Sequence, residues 1–252
     1  MVGRDGRVIA ARGDTTLAGE WASVTKILTA LAVLVAVEEE AVSLDEPAGP
    51  PGATVRHLLA HASGLAYDQD RILAPPGRRR IYSNRGFEVL GALVADRVGM
   101  AFGSYLAHAV LHPLGMAGAR LDGSPAAGVT GTLDDLVQLT RELFAPTLVS
   151  PATLRLATTV AFPGLAGRLP GFDSHDPLDW GLGIEVRGTK WPHWTGRHNS
   201  PATFGHFGRS GSVLWVDPAA GVACAVRSGR DFGAWAKEAW PALADAVLVE
   251  TR

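Results

Sequence analysis

The stretch Trp21-Ala22-Ser23-Val24-Thr25-Lys26-Ile27-Leu28 opens an apolar helix and carries two polar side chains, Ser23 and Lys26, three residues apart. Residues with this spacing share one helix face, so the hydroxyl and the amine are expected to lie in contact. A serine at a helix N-terminus also has a backbone N–H without a partner inside the helix. The pattern therefore places a potential nucleophile, a cation and a hydrogen-bond donor at one point.

Lys26 is expected to be buried. The residues from Ile27 to Val37 are all apolar except Thr29, and a helix that is apolar on every side is a core helix. A buried ammonium is costly unless it is paired, so such a lysine normally has a function. The alternative interpretation is an N-cap serine with a solvated lysine one turn further on.

Length and composition predict one large domain or two small ones. The chain has 252 residues, 19% of them charged, and a net charge of -2, which is enough chain for a sizeable core. We find no basic patch interleaved with aromatic residues, so no nucleic-acid partner is expected. The run Arg78-Arg79-Arg80 is interpreted as a solvated loop, and the single cysteine, Cys224, as a packing residue that excludes internal disulfides.

No charged-then-apolar leader opens the chain, and its longest apolar stretch is too short to cross a bilayer. We therefore expect a cytoplasmic protein with no membrane partner.

The order of the predicted elements favours an α/β (α+β) fold. Helices are predicted at 23–40, 54–59, 84–98, 133–144 and 232–249, the last interrupted at Pro241. A hairpin is predicted at 1–12, and strands at 182–187, 203–207, 212–216 and 222–227. The prediction is an antiparallel sheet flanked by helices, built from residues 1–44 and 161–252, with an all-helical region inserted at 45–160.

A second group of polar residues, Tyr82-Ser83-Asn84, lies directly before a predicted helix. Tyr82 could act as a general base, although its unperturbed pKa of about 10 requires a neighbouring cation to favour the phenolate. Lys26 is the candidate for that cation. The alternatives are an N-cap role for Asn84 and a structural hydrogen bond for Tyr82.

A third group is the glycine-rich segment Gly205-His206-Phe207-Gly208-Arg209-Ser210-Gly211-Ser212. Glycine in a strand lets a substrate approach the backbone closely and leaves an N–H exposed to a developing oxyanion. A turn between core strands is the alternative interpretation.

These groups, Ser-x-x-Lys, Tyr-x-Asn and His-x-Gly in that order, resemble the three motifs of the serine β-lactamase-like hydrolases. That family includes class C β-lactamases, penicillin-binding DD-peptidases and related esterases. Its connecting segments are matched as well, at 58–65, 76–84, 112–116 and 214–218. The resemblance covers residues 4 to 228.

The resemblance implies a catalytic role for three residues. Ser23 would be the acylated nucleophile. Lys26 would lower the pKa values of the serine and the tyrosine and shuttle protons. Tyr82 would be the base for acylation and would help to activate the deacylating water.

Four further residues are implied to bind the substrate. Asn84 would hydrogen-bond the substrate or Lys26. His206 occupies a position where many relatives carry a lysine, and Gly208 gives clearance beside it. The backbone N–H groups of Ser23 and Arg209 would form the oxyanion hole.

The chain departs from the family pattern at three points. Phe207 stands where a small hydroxyl residue is usual in the lactam-hydrolysing branches. His206 is largely neutral near pH 7, which weakens carboxylate recognition compared with lysine. The helix and most of the strand that usually precede residue 4 are absent, so we expect either a truncated sheet edge or further residues upstream.

These departures favour a serine hydrolase (esterase-like) that cleaves a small-molecule ester or amide, with no metal and no cofactor. A transacylase, a β-lactamase or D-amino-acid peptidase, and a catalytically silent binding module remain alternatives. His57 and His61 have zinc-motif spacing, but Leu58 stands in place of the glutamate and no third ligand is evident. Trp180, Trp191 and Trp194 could line an acyl pocket or belong to the core.

Overall fold

The structure, a computed structural model, describes residues 1–251. Its helices are α1 (Thr25–Glu38), α2 (Val55–Leu59), α3 (Asn84–Val98), α4 (Phe102–Leu106), α5 (Leu133–Phe144), α6 (Pro151–Thr158) and α7 (Ala234–Glu250). A 3-10 turn at Ala22–Val24 precedes α1, and a π-helical turn at Ala107–Leu111 follows α4. The strands are β1 (Val2–Gly3), β2 (Gly19–Glu20), β3 (Arg120–Leu121), β4 (Val129–Gly131), β5 (Gly167–Arg168), β6 (Ser174–His175), β7 (Glu185–Val186), β8 (Phe204–Phe207), β9 (Ser212–Asp217) and β10 (Val222–Arg227).

A five-stranded antiparallel sheet joins the two ends of the chain. Its order is β1-β10-β9-β8-β7, so the N-terminal strand lies at the edge beside β10. The β9–β10 hairpin pairs Val222 with Asp217 and Arg227 with Ser212. This mixed helix and antiparallel-sheet architecture confirms the predicted fold class.

Helix α1 is the centre of the larger hydrophobic cluster. Its residues from Thr25 to Ala36 are all buried, because apolar side chains cover every face. The helix packs against α3, α4 and β8. Lys26 is therefore carried into the core by its neighbours in sequence, as the pattern predicted.

Helices α3 and α5 have well-defined ends that agree with the predicted bounds. Ser83 caps α3 by accepting a hydrogen bond from the Gly86 N–H, and Gly99 ends it with a φ of 70°. Thr132 and Asp135 form a capping box at the start of α5.

Other elements differ from the sequence-based expectation. The strand predicted at 182–187 is confined to Glu185–Val186, because Gly183 has a φ of 77° and lies directly against Ala30 of α1. The β5–β6 pair, within residues 161–179, and helix α6 were not predicted. Helix α7 continues through Pro241 without interruption.

A small sheet of order β2-β4-β3 connects the regions on either side of residue 45, since β2 precedes that position and β3 and β4 follow it. The division into residues 1–44 with 161–252 and residues 45–160 stays a prediction. Within residues 1–251, no single helix has the length and apolar character of a membrane span; Asn84–Val98 and Phe102–Leu111 would qualify only as a pair, and they are bent by 83°.

Candidate active site

Ser23 lies in the 3-10 turn at Ala22–Val24, directly before α1. Ala22 has a φ of 46°, a left-handed conformation that costs an alanine about 1 kcal/mol or more. Packing holds this turn in place: Gly208 lies so close to the Trp21 carbonyl that any side chain there would clash, and the Ser212 hydroxyl donates to the same carbonyl at 2.6 Å. The third motif is thus pressed against the turn that carries Ser23.

This contact brings two backbone donors to the nucleophile. Within residues 1–251, the N–H groups of Ser23 and Arg209 donate to no backbone acceptor. The flanking Gly208 and Gly211 N–H groups are both occupied, at 2.8 Å to Ser212 O and 3.0 Å to Gly208 O. Two free donors beside a serine hydroxyl are what an oxyanion hole requires.

Lys26 is fully buried and makes three polar contacts. Its Nζ lies 3.4 Å from Ser23 Oγ, 2.7 Å from Asn84 Oδ1 and 2.9 Å from the Ala126 carbonyl. Burial lowers the pKa of Lys26 to about 7, against the opposing pull of the carboxylates of Asp68 and Glu88. Near neutral pH a large fraction of Lys26 is therefore a neutral amine that can accept a proton.

The Tyr82 ring lies beside the Lys26 amine. The ring centroid is 4.7 Å from Lys26 Nζ, and Tyr82 lines the same cavity as Ser23. Burial raises the pKa of Tyr82 well above its usual value, although the neighbouring Ser23 side chain lowers it. This corrects one expectation, that Lys26 would favour the phenolate: burial disfavours the charged phenolate more than the neighbouring groups favour it.

Asn84 is placed by helix α3, where it is the first residue. Its side-chain oxygen accepts from Lys26, and its Nδ2 donates to Asp68 Oδ1 at 3.0 Å. Of the two roles predicted for Asn84, the structure shows the contact with Lys26.

His206 is buried on β8 and lines the space beside Ser23. Burial, assisted by the nearby Lys26, lowers the pKa of His206 to about 4. Its Nδ1 donates to the Phe207 carbonyl at 2.7 Å, which leaves Nε2 as a lone-pair acceptor. The expectation of a neutral histidine at this position agrees with the structure.

A cavity of about 200 Å³ adjoins Ser23. Its walls are largely aromatic, and the loop between β5 and β6 closes one side; the lining includes Tyr67, Tyr82, Leu169, Pro170, Gly171, Trp180, Phe207 and Phe232. Of the three tryptophans considered from the sequence, Trp180 lines this cavity, whereas Trp191 and Trp194 do not. The lining contains one permanently charged side chain, that of the exposed Arg209.

His57 and His61, which have zinc-motif spacing, make separate structural contacts. His57 Nδ1 lies 2.9 Å from Thr54 Oγ1, and His61 Nδ1 accepts from the Ser83 N–H at 3.1 Å. The His61 ring packs against Tyr82 at a tilt of 38°, with 4.4 Å between centroids. His61 therefore helps to position the segment Tyr82-Ser83-Asn84.

Several residues near the site were missed at the sequence level. The Ala126 carbonyl contacts Lys26, and Tyr67 forms part of the cavity wall. Glu185 is buried behind the site, where Lys190 at 2.8 Å and His193 at 3.0 Å pair with it. A backbone carbonyl has no sequence signature. For Glu185, the available indication was the presence of a glutamate inside the strand predicted at 182–187.

The arrangement holds the groups that acyl transfer requires. A hydroxyl, a partly neutral amine 3.4 Å away, a phenol that lines the same cavity, and two free N–H donors surround one point at the mouth of an apolar cavity. These are the parts needed to deprotonate a nucleophile and to stabilise a tetrahedral oxyanion.

Comparison with known proteins identifies the family. A family model described as Beta-lactamase matches residues 1–248. The chain belongs to the beta-lactamase family. A beta-lactamase from Mycobacterium bovis has 55% sequence identity and a TM-score of 0.97, covering 99% of this chain and 93% of its own.

Two solved structures of lower sequence identity have a similar fold. An octameric penicillin-binding protein homologue from Pyrococcus abyssi has 20% identity and a TM-score of 0.76, covering 98% of this chain and 72% of its own. EstCE1, a hydrolase with promiscuous acyltransferase activity, has 19% identity and a TM-score of 0.76, covering 93% and 86%. At these identities the likeness concerns the fold. No match to this chain is found among curated proteins.

Proposed function

We propose that this protein is a serine hydrolase that cleaves a small ester or amide through an acyl-Ser23 intermediate. The observation that carries the proposal is the contact of Lys26 Nζ with Ser23 Oγ at 3.4 Å, together with the lowered pKa of that amine, about 7. A neutral amine next to a serine hydroxyl can serve as its general base.

In the acylation step, Ser23 Oγ forms a bond to the substrate carbonyl carbon. Its proton passes to Lys26 Nζ, either directly or through the Tyr82 hydroxyl, and the carbonyl becomes an oxyanion held by the Ser23 and Arg209 N–H groups. The tetrahedral intermediate then expels the alcohol or amine, which takes the proton. Water repeats the sequence on the acyl-enzyme and releases the acid.

The aromatic cavity supports a small neutral acyl group. The buried His206 is uncharged at neutral pH and only part of Lys26 is protonated there, so neither supplies the permanent buried cation that a substrate carboxylate would need. This favours simple esters and amides over β-lactams. Action in the cytoplasm stays a prediction from the sequence.

Labelling with a fluorophosphonate probe, together with turnover of p-nitrophenyl acetate, tests the proposal. Wild type should be labelled and active, whereas Ser23→Ala should lose labelling and at least about 100-fold in kcat. Ser104→Ala is the matched control, because Ser104 is exposed on α4.

The outcome also separates the alternatives. Labelling without turnover that is restored by an added alcohol acceptor would identify a transacylase, and nitrocefin hydrolysis would identify a β-lactamase. Wild-type protein that is not labelled at all would overturn the proposal and support a binding module.

A further inference from the structure

Residues 67–70, in the loop that precedes α3, are linked to the site by their contact with Asn84. The backbone N–H groups of Asn84 and Arg85 both donate to the Tyr67 carbonyl, at 2.8 and 3.0 Å, so residues 67–70 are fixed against the helix N-terminus. This places two exposed carboxylates, Asp68 and Asp70, close together but with different partners. Asp68 accepts from Asn84 Nδ2, whereas Asp70 pairs with Arg85 at 2.6 Å.

Asp68 and Lys26 are therefore joined by two hydrogen bonds in series. Asp68 Oδ1 accepts from Asn84 Nδ2 at 3.0 Å, and Asn84 Oδ1 accepts from Lys26 Nζ at 2.7 Å. An amide can bind in either of two orientations related by a flip of its side chain. A carboxylate only accepts hydrogen bonds, so it selects the orientation in which the amide oxygen faces Lys26.

We propose that Asp68 is a positioning residue: it orients the Asn84 amide toward Lys26, and its charge raises the pH at which Lys26 releases its proton. The proposal rests on the proposed function, in which Lys26 accepts the Ser23 proton. An amide oxygen at Lys26 favours the ammonium, whereas the NH₂ group of a flipped amide would favour the neutral amine.

The other groups facing Lys26 do not duplicate this role. Glu88 of α3 is the second carboxylate acting on it, but Arg85 at 3.3 Å and the Ser124 hydroxyl at 3.1 Å already engage Glu88. Three other titratable groups are uncharged at neutral pH, because burial disfavours their charged forms: Tyr82, His61 and His206 of β8. Asp68 is the carboxylate joined to Lys26 through Asn84.

The pH dependence of fluorophosphonate labelling tests the proposal without knowledge of the natural substrate. In wild type the second-order labelling rate should rise with pH and level off above about pH 7, as Lys26 becomes neutral. In Asp68→Asn this rise should move to lower pH by roughly 0.5 to 1 unit, because one negative charge has been removed. The plateau rate should fall a few-fold, since a weaker base remains.

Asp70→Asn is the matched control. It removes the same charge from the same exposed loop, but Asp70 pairs with Arg85 and makes no hydrogen bond to Asn84. Its labelling profile should remain within roughly 0.2 units of wild type. Asp68→Ala, which also removes the acceptor for the Asn84 amide, should shift the profile at least as far as Asp68→Asn.

Equal profiles for wild type and Asp68→Asn, or equal shifts for Asp68→Asn and Asp70→Asn, would overturn the assignment of Asp68. A change in melting temperature alone would do the same, because it would indicate a loop-stabilising role. Absence of wild-type labelling would instead contradict the proposed function, so the two failures are distinguishable.

Discussion

At the scale of single residues, Lys26 combines a large energetic cost with a chemical use. The side chain is completely buried, and three oxygen atoms surround its amine without an ion pair to a carboxylate. Burial opposes the ammonium form, which is why the pKa of Lys26 falls from its usual 10.5 to about 7. The same desolvation that creates a usable base also destabilises the folded protein.

We predict that Lys26→Met abolishes labelling of Ser23 and removes a pH dependence from the stability of the folded protein. Between the folded pKa of about 7 and the usual 10.5, the unfolded chain binds more protons than the folded one. Wild-type stability should therefore rise with pH across that window, and the variant should lack this rise. Urea unfolding at pH 7 and pH 9 measures the rise; a variant whose stability rises as much as that of wild type would contradict the prediction.

At the scale of elements, Arg80 joins segments that are distant in sequence. The expectation of a solvated loop at Arg78-Arg79-Arg80 is wrong for Arg80, whose side chain is 2% exposed. Its guanidinium donates to the carbonyls of Leu178, Ala60, Ala161 and Phe162. Buried carbonyl oxygens need donors, and a guanidinium with five N–H groups supplies several at once.

Arg80→Met is expected to lower the free energy of unfolding by about 3 kcal/mol or more, because it leaves several buried carbonyls without a donor. The adjacent Arg79 is exposed, so Arg79→Met should change stability by no more than about 0.5 kcal/mol. Thermal and urea denaturation of the pair compare the two positions directly. Similar stabilities for both variants would show that Arg80 is not required to hold these segments together.

At the scale of the whole molecule, the cavity exists because regions far apart in sequence converge on Ser23. Phe207 lies where they meet: its ring packs against Phe232 at 5.0 Å, Phe172 at 5.9 Å and Trp240 at 5.7 Å between centroids. Strand β8, the β5–β6 loop and helix α7 therefore determine together how much space an acyl group has.

Phe207→Ala should enlarge this cavity and lower the free energy of unfolding by about 3 to 5 kcal/mol. The ratio of p-nitrophenyl octanoate to p-nitrophenyl acetate turnover should rise, because a longer acyl chain would fit. Phe144→Ala is the control, since Phe144 packs against the larger hydrophobic cluster around α1. An unchanged ratio in Phe207→Ala, or the same rise in both variants, would show that Phe207 does not limit acyl length.

Local sequence patterns were sufficient to predict several of the main helices and strands. The bounds of α3 and α5 agree with their capping residues, and the β9–β10 hairpin is formed by the strands predicted at 212–216 and 222–227. Elements whose form depends on distant contacts were not predicted correctly. Strand β7 is short because Gly183 lies against α1, and α6 has only eight residues, too few to establish an apolar period.

The pairing of Ser23 with Lys26 and the burial of the lysine follow from local sequence alone, because both depend on helical spacing and on an all-apolar helix. The protonation states follow from the folded arrangement, since desolvation and charge depend on every group packed around a site. The direction of the Tyr82 pKa, the orientation of the Asn84 amide and the contact of Lys26 with the Ala126 carbonyl all arise from chain segments that meet only in the folded protein.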